Sequence, residues 1–218
     1  MDKTMYGILK TTAICPIMVA PELEFAPMAA KALAEGGLPV CEVLLHRDDD
    51  SLKRISKIAK DAPEVIVGAG TVISVRDAEE ALDAGAKFCV APGFVPEVVE
   101  FCLKNNLPIL PGCVTPTEIS MALNYGINVL KFFPVYQMGG IETLTQYYYG
   151  PFGKAEFVVT GGLNGQNFLP LVKFDSVLAA GGDWMFAENN AVSEKNYEQI
   201  VLNTRKTIKE SLDARRKF

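Results

Sequence analysis

Val129-Leu130-Lys131-Phe132-Phe133-Pro134 is too short for a helix, apolar on both of its alternating faces, and closed by proline. Such a run suits a strand covered on both sides, as in a parallel sheet flanked by helices. Seven more stretches share this grammar: ICPIMVA (14–20), PVCEVLLH (39–46), EVIVGAG (64–70), FCVAPG (88–93), PILPGC (108–113), EFVVTGG (156–162) and SVLAAGG (176–182). Between them lie segments with helical spacing, such as Phe25, Met28, Ala29 and Leu33, or Leu52, Ile55, Ile58 and Ala59. Buried strands alternating with helices predict an α/β fold, a (β/α)8 TIM barrel, because closure removes the edges of an open parallel sheet. An open doubly wound sheet is the competing architecture. The first dozen residues predict an extra N-terminal helix under the barrel. A long final helix over about 196–215 carries Lys206, Lys209, Arg215 and Arg216 toward its carboxyl end, where cations suit the helix dipole. No linker or shift in composition interrupts the rhythm, so 1–218 reads as a single barrel domain.

At 218 residues, 49% hydrophobic and 22% charged, the composition implies a substantial core and excludes disorder. Against 26 acidic residues stand 21 basic ones, which supplies no basic field for nucleic acid. Five scattered cysteines without a Cys-x-x-Cys pair fit reduced thiols and a cytoplasmic location. The single histidine, His46, cannot build a multi-histidine metal cage, so no metal and no cofactor are expected. The amino terminus, interrupted by Lys10 and Pro16, lacks a signal-peptide pattern, and no run is long enough for a membrane span.

In a barrel the site lies at the carboxyl ends of the strands. Lys131, with two apolar neighbours on each side, breaks its strand's composition. Lysine is rarely buried without a partner or a task, and a desolvated lysine yields the neutral amine that attacks a carbonyl. The bland alternative is a lysine snorkelling outward from a strand end; Lys173, by contrast, falls at a predicted helix carboxyl end, where a cation caps the dipole and needs no catalytic explanation. Glu42 is the second break, and strand alternation puts Glu42, Leu44 and His46 on one face. A structural ion pair is the bland reading of Glu42 and Lys131, and it costs desolvation for little net stability. Glu100, by contrast, reads as a solvated i,i+4 partner of Lys104. Thr160-Gly161-Gly162 and Gly181-Gly182-Asp183 close the last two strands, where exposed backbone N–H groups bind phosphate in many barrels. Tyr147-Tyr148-Tyr149 reads either as part of a subunit interface or as packing for a helix.

Taken together, Glu42-Val43, Gly68-Ala69-Gly70-Thr71, Ala91-Pro92-Gly93, Pro111-Gly112, Lys131-Phe132-Phe133-Pro134, Gly139-Gly140, Gly150-Pro151-Phe152, Thr160-Gly161-Gly162 and Gly181-Gly182-x-Trp184 run through nearly the whole chain. This set resembles the class I aldolases for 2-keto-3-deoxy-6-phosphogluconate and 4-hydroxy-2-oxoglutarate. The resemblance implies a cytoplasmic, metal-free homotrimeric lyase of Entner–Doudoroff-type carbohydrate metabolism that releases pyruvate and an aldehyde, glyceraldehyde 3-phosphate or glyoxylate. By matched position, Lys131 would form the Schiff base and Glu42 would act as general acid/base. Thr71, Pro92, Pro111 and Phe133 would wall the pyruvate pocket, Thr160 would orient the substrate, and Gly161, Gly162, Gly181 and Gly182 would receive the distal anion.

Two positions depart from the family pattern. Where an arginine commonly follows the strand glutamate by four residues, this chain has His46 and then Arg47. Either side chain is a candidate for the substrate carboxylate, and strand parity points to His46. Asp183 stands where a small hydroxyl residue often assists phosphate binding, and a carboxylate there repels a dianion. That favours a neutral polyol end or a glyoxylate-derived substrate. Within the lyases, the alternative is a pyruvate aldolase for another 2-keto-3-deoxy sugar acid. Outside them, the alternatives are a sugar-phosphate isomerase or epimerase barrel and a non-catalytic barrel that binds a keto acid.

Overall fold

The computed structural model describes residues 4–20 and 22–216. All eight expected strands form: β1 (Ile14–Pro16), β2 (Val40–Leu44), β3 (Ile66–Gly70), β4 (Cys89–Val90), β5 (Ile109–Leu110), β6 (Val129–Phe132), β7 (Glu156–Thr160) and β8 (Val177–Gly182). They are shorter than the apolar runs that announced them: most lose residues at the carboxyl end, toward the mouth of the barrel, while β3 and β8 are trimmed only at the amino end. The helices are α1 (Met5–Thr12), α2 (Ala26–Glu35), α3 (Ser51–Asp61), α4 (Val75–Asp83), α5 (Pro96–Lys104), α6 (Pro116–Asn124), α7 (Gly140–Tyr149), α8 (Leu169–Val172), α9 (Trp184–Ala187) and α10 (Tyr197–Arg215). Among the described residues no helix is long and apolar enough to cross a membrane.

All the strand pairs are parallel, and β1 pairs with β8, which an open doubly wound sheet does not allow. The ring consists of two four-stranded arcs, β1-β8-β7-β6 and β2-β3-β4-β5. Two seams join them, each through a single parallel bridge: Ile17 with Glu42, and Gly112 with Lys131. The Met18 N–H donates to the Glu42 carbonyl at 2.7 Å, and the Cys113 N–H donates to the Lys131 carbonyl at 2.9 Å. Gly112 is required at the second seam, since a Cβ there would overlap the Pro92–Gly93 peptide.

Alternation sends Cys41, Val43, Leu130 and Phe132 outward against the helices, where they are buried. Phe132 meets Phe157 edge to face, and Trp184 stacks on Phe168 while its indole N–H donates to Thr207 on α10. Helix α4 begins with a capping box in which Ser74 and Asp77 each satisfy the other's backbone N–H. Burial works against the Asp77 charge, but hydrogen bonds from the Ile73 N–H, Ser74 and His46 outweigh it and hold its carboxyl below the usual range.

Some surface expectations change. Arg215 does not merely answer the dipole of its own helix: its guanidinium donates to the carbonyls of Val172, Val177, Leu178 and Lys10, tying α10 to α8, α1 and the start of β8. Glu100 accepts the Tyr125 hydroxyl at 2.8 Å instead of pairing with Lys104. Of the tyrosine triplet, Tyr147 donates to the Val114 carbonyl and Tyr148 packs on Phe174, while Tyr149 is 75% exposed.

Two outcomes follow. Arg215→Met should lower unfolding stability by about 2 kcal/mol or more, measured by denaturant titration, because charged hydrogen bonds are lost and carbonyls are left unpaired. The Asp77→Asn variant should be less stable than wild type at neutral pH. A carboxyl depressed in the folded state stabilises above its unfolded pKa and loses that contribution as pH falls. The gap between the two proteins should therefore close as acid unfolding is followed below about pH 4.

Candidate active site

Across the lumen, the Lys131 Nζ of β6 lies 3.4 Å from the Glu42 Oε1 of β2. Lys131 is 6% exposed and Glu42 1%, so neither reaches bulk water and each is the other's charge partner. Strand register explains how Glu42 fits: it sits opposite Gly68, and a Cβ on Gly70 would overlap its carboxylate. Gly70 thus clears the space that the glutamate fills, while Gly68 makes room for the Phe88 ring. The thiols of Cys15 and Cys41, on either side of this floor, are no rival nucleophiles. Burial first and the Glu42 charge second push Cys15 up, and push Cys41 to about 12.

Above the pair opens a cavity of about 400 Å³, lined by residues at the carboxyl ends of β1, β2, β3, β4, β6, β7 and β8. Of the residues singled out in the sequence, Lys131, Arg47, Thr71, Pro92 and Phe133 line it, as do Thr160, Gly161, Gly162, Gly181, Gly182 and Asp183. Phe133 brings its ring centroid to 5.6 Å from the Lys131 Nζ. Thr160 is buried with no hydrogen-bond partner for its hydroxyl. Glu42 lies beneath, screened by Lys131. Ile17, Leu44 and Leu163 complete the lining. Sequence reasoning passed over Ile17 and Leu163 because an apolar residue at a strand end looks like any other core residue. The parity that places Leu44 beside Glu42 was enough to find it.

Besides Glu42, two expected residues do not line the cavity. Pro111 is buried at the seam, where its carbonyl accepts the Lys131 N–H at 2.9 Å. His46 leaves the Glu42 face altogether. Its φ is +59°, a left-handed conformation that ends strand alternation, so the residue after it, Arg47, turns inward. The His46 side chain, 48% exposed, instead lies with Nε2 3.2 Å from Asp77 Oδ1. Farther along the loop, the Asp48 carboxylate receives both terminal nitrogens of Arg54 at 3.2 Å. This pairing holds Asp48 below the usual carboxylate range, and Arg47 has no hydrogen-bond or ion-pair partner among the described residues. Thr71, at the end of the neighbouring strand, is also left-handed at φ +62°, an unusual strain for a β-branched residue and one that clusters at functional sites.

Chemically, the arrangement offers a shielded amine beside a carboxylate, a free guanidinium, and a glycine-rich wall with a second carboxylate. Known proteins match this chain along nearly its whole length. The family model for KDPG and KHG aldolase matches residues 5–202. A KHG/KDPG aldolase of Escherichia coli K12 is 36% identical over 202 residues, 93% of this chain and 93% of that protein. A 2-dehydro-3-deoxy-phosphogluconate aldolase of Dickeya dadantii is 35% identical over 201 residues, 92% of this chain and 93% of that one. Among solved structures, a KDPG aldolase of Legionella pneumophila, with pyruvate captured at low pH as a covalent carbinolamine intermediate, superimposes with a TM-score of 0.85. It is 31% identical and the match covers 94% of this chain and 99% of that one. These matches run through both arcs of the barrel, including the strands that bring the glutamate and the lysine together, and the chain belongs to the KDPG and KHG aldolase family.

Proposed function

We propose that the protein is a Schiff-base aldolase, a carbon–carbon lyase that cleaves a 4-hydroxy-2-oxo acid of the KDPG or KHG type into pyruvate and an aldehyde. The observation that carries this reading is the buried Lys131 amine, open to the cavity and 3.4 Å from Glu42. Moving one proton from the ammonium to the carboxylate turns a buried ion pair into a neutral pair, which burial does not penalise. The free amine then attacks the C2 carbonyl, and Glu42 gives its proton to the carbinolamine hydroxyl, which leaves as water to yield the protonated imine and restore the Glu42 carboxylate. As the C3–C4 bond breaks, its electron pair moves into the imine to form an enamine, and the C4 hydroxyl gives up its proton. Glu42 is the base that accepts this proton, directly or through one water, and it later returns a proton to C3 before hydrolysis frees pyruvate.

Arg47 carries the carboxylate of the keto acid, for which a planar guanidinium without another partner is suited. His46 acts at one remove: its contact with Asp77 ties the β2 loop to the start of α4 and keeps Arg47 turned inward. Thr71, Pro92 and Phe133 wall the pyruvate end, and Thr160 faces the departing fragment. Exposed Ile73, Tyr136 and Tyr149 support the homotrimer implied by the resemblance, and five free cysteines support a reducing, cytoplasmic setting.

With pyruvate and borohydride, Lys131 should gain an irreversible adduct in a peptide mass map. An adduct on another lysine, or none, defeats the reading. Lys131→Arg should abolish turnover, whereas an isomerase that needs only a base would keep part of its rate. Glu42→Gln should lower kcat by about 10²- to 10⁴-fold in a pyruvate-release assay. Arg47→Ala should raise KM by about tenfold or more, the scale of a charged bidentate contact, and His46→Ala should raise it less with kcat nearly kept. If His46→Ala has the larger effect, the carboxylate belongs to His46.

A further inference from the structure

Building on the aldolase reading, we infer that the preferred substrate has a neutral, hydroxyl-bearing distal end, and that Asp183 sets this preference against phosphate and against a second carboxylate. The argument is a count of charges and hydrogen-bonding groups in one cavity. Its lining contains two cations, Lys131 and Arg47, and one carboxylate, Asp183. Lys131 is consumed in forming the imine, and Arg47 is matched by the carboxylate that every 2-keto acid carries. No cation of the lining is left for a second anionic group.

The wall contributed by β7 and β8 offers a different chemistry. The N–H groups of Gly161 and Gly162 donate to no atom of the chain among the described residues, and the Thr160 hydroxyl is buried without a partner. These are donors awaiting an acceptor. Asp183 is half-buried, and its carboxylate makes no hydrogen bond or ion pair among the described residues. It is an acceptor awaiting a donor. A hydroxyl group donates and accepts at once and so satisfies both sets. A phosphate dianion or a carboxylate only accepts: it fits the N–H groups but faces Asp183 as a like charge, with no cation between them. The substrate class that uses the whole wall is a 2-keto-3-deoxy sugar acid without phosphate, cleaved to pyruvate and a neutral hydroxyaldehyde.

The test compares kcat/KM, by pyruvate release, for 2-keto-3-deoxygluconate, its 6-phosphate and 4-hydroxy-2-oxoglutarate. It uses wild type, Asp183→Asn and Asp183→Ser. Wild type should favour the neutral-ended substrate by at least about tenfold, the scale of one like-charge contact in a partly solvated cleft. Both variants should move the ratio toward the phosphorylated substrate by a similar factor. Added salt should move the wild-type ratio toward the phosphorylated substrate more than it moves the variants' ratios, since the Asp183 repulsion it screens exists only in wild type, whereas the Arg47 attraction is common to all three proteins and to all three substrates. A wild-type preference for the phosphate, or a ratio that neither variant shifts, overturns the inference while leaving the aldolase reading intact. Failure of all three substrates, with no borohydride adduct on Lys131, defeats both.

Discussion

The structure depends on one contact across the barrel, the Lys131–Glu42 pair. The two residues belong to different arcs, and each is also the residue through which its strand bridges a seam: Glu42 to Ile17 and Lys131 to Gly112. Two buried charges are tolerable only together, because removing either leaves the other desolvated and unpaired. Closing the barrel in register is therefore what makes the pair possible. Gly70 of β3 and the tight approach of Gly112 to the Pro92–Gly93 peptide serve the same end, admitting a carboxylate on one side and a close strand on the other.

Much of this was readable in the chain because it rests on local rules. Strands covered on both faces must be nearly all apolar, so Lys131 and Glu42 stood out as breaks in composition, and period-two alternation put Glu42 and Leu44 together. The first and last helices were equally visible as an amphipathic opening segment and a long polar-and-apolar tail. What failed were inferences that carried a local rule past the place where it stops. Alternation holds only while backbone dihedrals stay extended, and at His46 they do not, so parity assigned the wrong one of two adjacent residues to the cavity. Asp77, the residue that receives His46, lies on the next β/α unit, and nothing in the spacing announces it. Arg215 was legible as a cation near a helix end, but not as a donor to carbonyls from three other elements.

The mouth shows how a small barrel sets specificity without inserted domains. Two left-handed residues, His46 and Thr71, re-aim the chain at the ends of adjacent strands, and short loops hold them: a capping box on one side, an arginine–aspartate fork on the other. In the proposed reading the pyruvate end is built from these loops and the distal end from the glycine pairs of β7 and β8, so position 183 bears on selectivity while the Lys131–Glu42 pair carries the chemistry.

The seams give the enzyme a further property. The β2–β3, β6–β7 and β7–β8 ladders hold four or five register pairs, β3–β4 and β4–β5 hold two, and each seam holds a single bridge. The amine and its carboxylate stand on different arcs, so any motion that parts a seam also parts the lysine from the glutamate. On the proposed mechanism a barrel opened there has a lysine without its base, and turnover requires both seams to be closed.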